Sequence, residues 1–158
     1  MEPRRPRRPE TVAAAAAAVV VGLLAAMVAA CGAPAAGESC ISWVPADDDA
    51  ARTELADVVV EGRPVERVGE RAMFGVTATV WDVEVDRVLK GTTEVGTVIE
   101  VASTPRTCEV GGAYPDGDPL DAAGRLRLYL SDSDFGIEGT EPGLALITPF
   151  DGVGAADG

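Results

Sequence analysis

Three cysteines, Cys31, Cys40 and Cys108, and several closely spaced aspartates are the reactive groups that this sequence offers. A thiolate can act as a nucleophile, as a metal ligand or as half of a disulfide. Asp116-Gly117-Asp118-Pro119-Leu120-Asp121 and Asp132-Ser133-Asp134 resemble fragments of calcium loops. Neither completes the EF-hand spacing, because Leu120 falls where a ligand is needed and no suitably placed glutamate follows. Solvated loops with Asp-Gly turns are the reading adopted for both. The chain contains no histidine, which excludes Ser-His-Asp and Cys-His catalysis and the usual His-bearing zinc sites. It has no Gly-rich phosphate loop followed by Lys-Ser or Lys-Thr, and no dinucleotide fingerprint. Two carboxylates could hydrolyse a glycoside, but a domain this small offers no obvious cleft. The expectation is a non-catalytic protein with no catalytic residue, no metal site and no cofactor.

Cys31 stands at a distinctive junction. A basic start with Arg4, Arg5, Arg7 and Arg8 leads into an apolar run from Val12 to Ala30, and Val28-Ala29-Ala30-Cys31-Gly32 closes it. A charged start, an apolar core and small residues before a cut site make a secretory signal peptide. The run is long enough to span a membrane, but its richness in alanine makes it weakly hydrophobic on an insertion scale. The Val-Ala-Ala-Cys ending resembles the lipobox of bacterial lipoproteins. That resemblance implies a diacylglyceryl group on the Cys31 thiol and cleavage just before Cys31. Ordinary cleavage with a free Cys31 and a retained signal anchor are the alternatives. Pro-Arg-Arg-Pro after the first arginine pair favours Sec export over the twin-arginine route. Two or three acyl chains anchor a protein stably where one does not. The expected organisation is residues 1–30 as signal helix, 31–39 as lipidated Cys and flexible tether, 40–150 as the folded domain and 151–158 as a disordered tail. The expected location is the outer face of the cytoplasmic membrane, held there through Cys31.

The full chain has 13 basic and 26 acidic side chains, a net charge of −13. Removing residues 1–30 takes four Arg and two Glu, leaving nine against 24, or −15. Lys90 is the only lysine. So acidic a surface repels phosphate backbones, which argues against a nucleic-acid partner. Its expected role is solubility, with a protein partner at the cell surface left open. If Cys31 carries lipid, Cys40 and Cys108 remain as a pair in an oxidising compartment. Their bond would close a long loop and stabilise the fold by about 4 kcal/mol on the chain-entropy account.

The elements that must carry these groups follow from periodicity. Asp48 or Asp49 caps a short helix over residues 50–56; calcium binding by the Asp47-Asp48-Asp49 triplet is the less favoured role. A first strand opens at Val58-Val59-Val60, bends at Gly62 and stops near Pro64. Residues 66–72, charged and containing Gly69, read as a hairpin loop. From Phe74 to Leu89, Thr77, Thr79, Trp81, Val83 and Val85 alternate with Ala78, Val80, Asp82, Glu84 and Asp86, giving one buried and one wet face. The pattern slips near Leu89, which predicts a bulge. Residues 97–103 form a third strand with Ile99 and Val101 inward, 125–130 a fourth with Leu126, Leu128 and Leu130 on one face, and 143–150 a fifth. The Gly- and Pro-rich stretch 104–124 is a loop that Cys108 would pin. Trp43 and Trp81 are assigned to packing. Five strands, one helix and no βαβ rhythm predict an all-β, five-stranded antiparallel barrel or small sandwich.

Cys40-Ile41-Ser42-Trp43-Val44-Pro45, the helix, Ala56 to Gly62, Trp81 to Gly91 and Cys108 together resemble a netrin-like module. The likeness is to the N-terminal OB-fold domain of the tissue inhibitors of metalloproteinases, over residues 40–150. It implies an OB-like barrel and supports the Cys40–Cys108 bridge. In those inhibitors the first Cys is the chain's N-terminus, and its free amine chelates the protease zinc. Here Cys40 follows a tether, and Ser42 replaces the family's second Cys. Ile41 occupies the position that enters the protease pocket, but without the amine it is only a side chain. The expectation is therefore a non-catalytic OB-like binding module. A metalloprotease inhibitor and a calcium- or carbohydrate-binding surface domain are the alternatives.

Overall fold

A computed structural model of the chain describes residues 40–134, 137 and 139–156. The signal segment, Cys31 and the tether fall outside the described residues. Within them lie a helix, α1 (Asp49–Leu55), and six strands. The strands are β1 (Val58–Met73), β2 (Val76–Lys90), β3 (Val98–Ala102), β4 (Leu126–Asp132), β5 (Leu144–Leu146) and β6 (Val153–Ala155). The structure is mostly β, as expected. The sheet order is β1-β2-β3-β5-β4-β6, and β1 also pairs with β4, so the first five strands return on themselves in a ring.

Two corrections follow for the sheet. It is mixed rather than wholly antiparallel, because β3 meets β5 in parallel at Ala102 and Ala145. It has six strands, because residues expected to fray pair with Leu126–Leu128 of β4 as β6. Gly152 permits that return. A Cβ there would lie 2.5 Å from the Cβ of Leu146, and the Gly152 carbonyl accepts from the Tyr129 amide at 3.0 Å.

Asp48 caps α1, its carboxylate accepting from the Ala51 amide at 2.8 Å. At the other end the Lys90 ammonium donates to the carbonyls of Thr53 (2.8 Å) and Ala56 (2.5 Å), where a cation complements the helix dipole.

The first hairpin differs most from expectation. β1 does not stop near Pro64. It runs on to Met73, paired with β2 from Val59↔Lys90 to Met73↔Val76. Residues 66–72 are thus strand, and the turn is Phe74-Gly75, both at positive φ (57° and 81°), as a two-residue primed turn demands. Phe74 is an unusual residue for that conformation. Burial of its ring and a bond from its amide to Thr140 Oγ1 (3.0 Å) hold it there. The bend at Gly62 is present as a register shift, and so is the irregularity near Leu89. At Gly62 the backbones approach closely, since a Cβ would lie 2.5 Å from the Glu84 carbonyl oxygen.

The period of two in β2 separates two faces, but the second is polar only along Asp82, Glu84 and Asp86 and forms a further core at Ala78 and Val80. Val83 and Val85 join Val60, Val101, Leu120, Leu128, Leu130 and Leu146 in the main cluster, with Trp81 packed against it. Ala78 and Val80 turn the other way and meet Met73, Phe74, Ala102 and Ala145. Ile41, Trp43 and Ile137 cover this second cluster. They come from segments far away in sequence, which local periodicity does not register. A third cluster, Ala56, Val59, Tyr129 and Ile147, completes the core.

Candidate functional site

The segment Cys40–Ala46 is an extended strap laid over the second cluster. It is fixed at three points. Cys40 is bonded to Cys108, with Cα atoms 5.4 Å apart. The Ile41 amide donates to Thr107 Oγ1 at 2.9 Å. The Ala46 amide donates to Asp151 Oδ2 at 3.4 Å. Between these points the Trp43 ring meets Phe74 edge-on, with centroids 5.5 Å apart and planes at 71°.

The strap forms a wall of two adjoining cavities. On one side is an apolar groove of about 290 Å³ whose walls include Ile41, Trp43, Val44, Leu55, Phe74, Ile137 and Ile147. On the other side is a cavity of about 360 Å³ of mixed lining that adds Arg106, Glu109, Phe150 and Asp151. The Arg106 guanidinium lies 4.6 Å from the Phe150 ring centroid and pairs with Glu109 (3.3 Å) and Asp116 (2.8 Å). That arginine is therefore engaged.

Three of the acids named from sequence, Asp118, Asp132 and Asp48, have structural duties. Asp118 accepts from the Trp81 indole N–H at 3.0 Å and from the Leu120 amide at 3.0 Å, which fixes the loop as Leu120 enters the main core. Asp132 Oδ1 accepts from the amides of Asp134 (3.2 Å) and Gly143 (3.4 Å). Asp48 is the helix cap. Among the described residues no three His, Cys, Asp or Glu side chains converge where a metal ion could sit. Ile41 faces inward against the second cluster. Entering a protease pocket would require it to leave that packing and its bond to Thr107.

Sequence reasoning overlooked several polar groups. Tyr114 fastens the long loop, accepting from the Thr79 amide (2.9 Å) and donating to the Ser103 carbonyl (2.5 Å). Burial pushes its hydroxyl pKa above the usual tyrosine range. Glu61 is almost wholly buried between arginines on both neighbouring strands, paired with Arg127 at 2.9 Å and Arg87 at 4.0 Å. Its place in the middle of an apolar strand start was the one available signal. The groove itself carries no motif, because its walls come from the strap, α1, the β1–β2 turn and the segments flanking β5.

No protein-family model matches the chain, and no curated protein or solved structure matches it either. The groove beside the strap is the candidate site on its own geometry.

Proposed function

We propose that this chain is an exported lipoprotein, held to the outer face of the cytoplasmic membrane through Cys31, whose OB-like domain is a non-catalytic binding module. One observation carries the reading: Val28-Ala29-Ala30-Cys31-Gly32 closes an apolar run that follows four closely spaced arginines. The pairing of Cys40 with Cys108 lends support, because it accounts for the other two of the chain's three cysteines. The OB-like reading is supported by the ring β1-β2-β3-β5-β4, with β6 as an addition. The binding role is supported by a groove that opens beside the strap, lined mainly by apolar side chains with the hydroxyls of Ser42, Ser131 and Thr148 among them.

Metabolic labelling with a fatty-acid analogue tests the anchor. The native chain should incorporate label and stay with the membrane, and Cys31→Ser should lose both while keeping its fold. Undiminished labelling of the variant would overturn the reading.

A further inference from the structure

We propose that the groove beside Trp43 is a docking site for an apolar side chain carried on a lysine- or arginine-rich segment of an exported partner. The inference rests on the binding-module reading and gives it a location and a chemistry.

Size and lining set the first half. At about 290 Å³ the groove falls just below the size of ligand sites, which run from about 300 to 1,000 Å³. It suits a side chain or two rather than a cofactor. Trp43 and Phe74 give it a rigid aromatic wall, and Ile41 and Ile147 are held by packing in the core. Val44 and Leu55 remain 67% and 46% exposed. Apolar surface left open beside a preformed groove is the pattern of an interaction site.

Charge sets the second half. The nearby cations are engaged: Arg106 with Glu109 and Asp116, Arg52 with Asp49 and Asp151, and Lys90, which meets no carboxylate among the described residues, with the carbonyls of Thr53 and Ala56 on either side of Leu55. Several acids near the groove in sequence are not. Asp47 follows the strap, Glu54 precedes the groove residue Leu55, and Asp134 follows Ser131; all three are exposed and make no ion pair among the described residues. The chain as a whole carries a net charge of −13. Such a field steers and retains a basic partner and repels an anionic lipid surface. A second copy of this chain would bring the same acids and be repelled.

The test is an NMR titration of the methyl-labelled full chain with the peptide acetyl-Lys-Lys-Leu-Phe-Lys-Lys-amide and its Glu-for-Lys counterpart. Saturable shifts should be confined to the methyls of Ile41, Val44, Leu55, Ile137 and Ile147. Affinity should fall at least about tenfold with the Glu peptide, and similarly on raising salt to about 0.5 M, where screening is strong. Leu55→Asp and Val44→Asp, both at exposed positions, should each abolish the shifts while the remaining spectrum is unchanged. Absence of saturable shifts, shifts centred elsewhere, or equal affinity for the two peptides would overturn the proposal. Lipid labelling of Cys31 is read separately, so a failed titration with positive labelling rejects this site and leaves the anchor standing.

Discussion

Glu61 of β1 and Arg127 of β4 face each other as cross-strand partners, and the Arg127 Nη2 donates to Glu61 Oε1 at 2.9 Å. The glutamate is 1% exposed. On its other side Arg87 of β2 is its register partner, so Arg, Glu and Arg form one row across three strands. Asp49 of α1 accepts a further bond from Arg127 at 3.1 Å and ties the helix to that row. Arg87 is largely exposed, so its share of the stabilisation is small. The buried pair therefore carries most of the row's effect, and its importance appears when one member is lost.

Glu61→Ala should destabilise the domain by about 1–3 kcal/mol, because the largely buried Arg127 would lose its closest carboxylate and keep Asp49. The double variant Glu61→Leu with Arg127→Met should be much less destabilised than the sum of the single changes. Urea denaturation of the four proteins checks this; additive losses would show that the two residues are not coupled.

Lys90→Met should cost about 1–2 kcal/mol, since the carbonyls of Thr53 and Ala56 would lose their shared ammonium. Hydrogen exchange should show the loss as faster exchange at the end of α1, with the core strands little changed.

Breaking the bridge with Cys40→Ser and Cys108→Ser should lower stability by about 2–5 kcal/mol. The strap would retain only the weaker ties at Ile41 and Ala46, so Trp43 fluorescence should become more accessible to quenchers. Unchanged quenching would mean that packing on Phe74 alone holds the strap.

Tyr114 makes stability sensitive to alkali. Its folded pKa lies above the unfolded value of about 10 because burial disfavours the phenolate. The native state therefore holds the proton more tightly than the unfolded state, and stability should fall as pH rises above about 10. Tyr114→Phe should be less stable at neutral pH, having lost two hydrogen bonds, yet its stability should fall less steeply over that alkaline range. Parallel pH curves for the two proteins would assign the alkaline loss to other groups.

Gly62→Ala should destabilise by about 1–3 kcal/mol, because the new methyl would press on the Glu84 carbonyl oxygen at 2.5 Å. The obstacle is backbone in a paired strand and has no rotamer to move to. Thermal unfolding of the variant checks this.

What was legible in the sequence rested on interactions between residues close together along the chain. Asp48 caps α1 because a carboxylate three residues before an amide can reach it. Trp81, Val83 and Val85 share one side of β2 because successive strand residues point opposite ways. The bend at Gly62 and the slip near Leu89 break that same local period. Tertiary structure decided the rest. The inner side of Val83 and the covered side of Val80 look alike in sequence, since alternation separates two faces without saying what lies on each. The strap is tied beside Phe74 by contacts remote in sequence, Cys40 with Cys108 at a separation of 68 and Ile41 with Thr107. Phe74 keeps its left-handed turn because Trp43, from the strap, packs on its ring and Thr140 binds its amide. Gly152 lets β6 return onto β4 because any side chain there would collide with Leu146. Glu61 acquires its arginines from two strands far away in sequence. The groove has no signature of its own because its walls come from separate segments, and it exists only once chain folding brings them together.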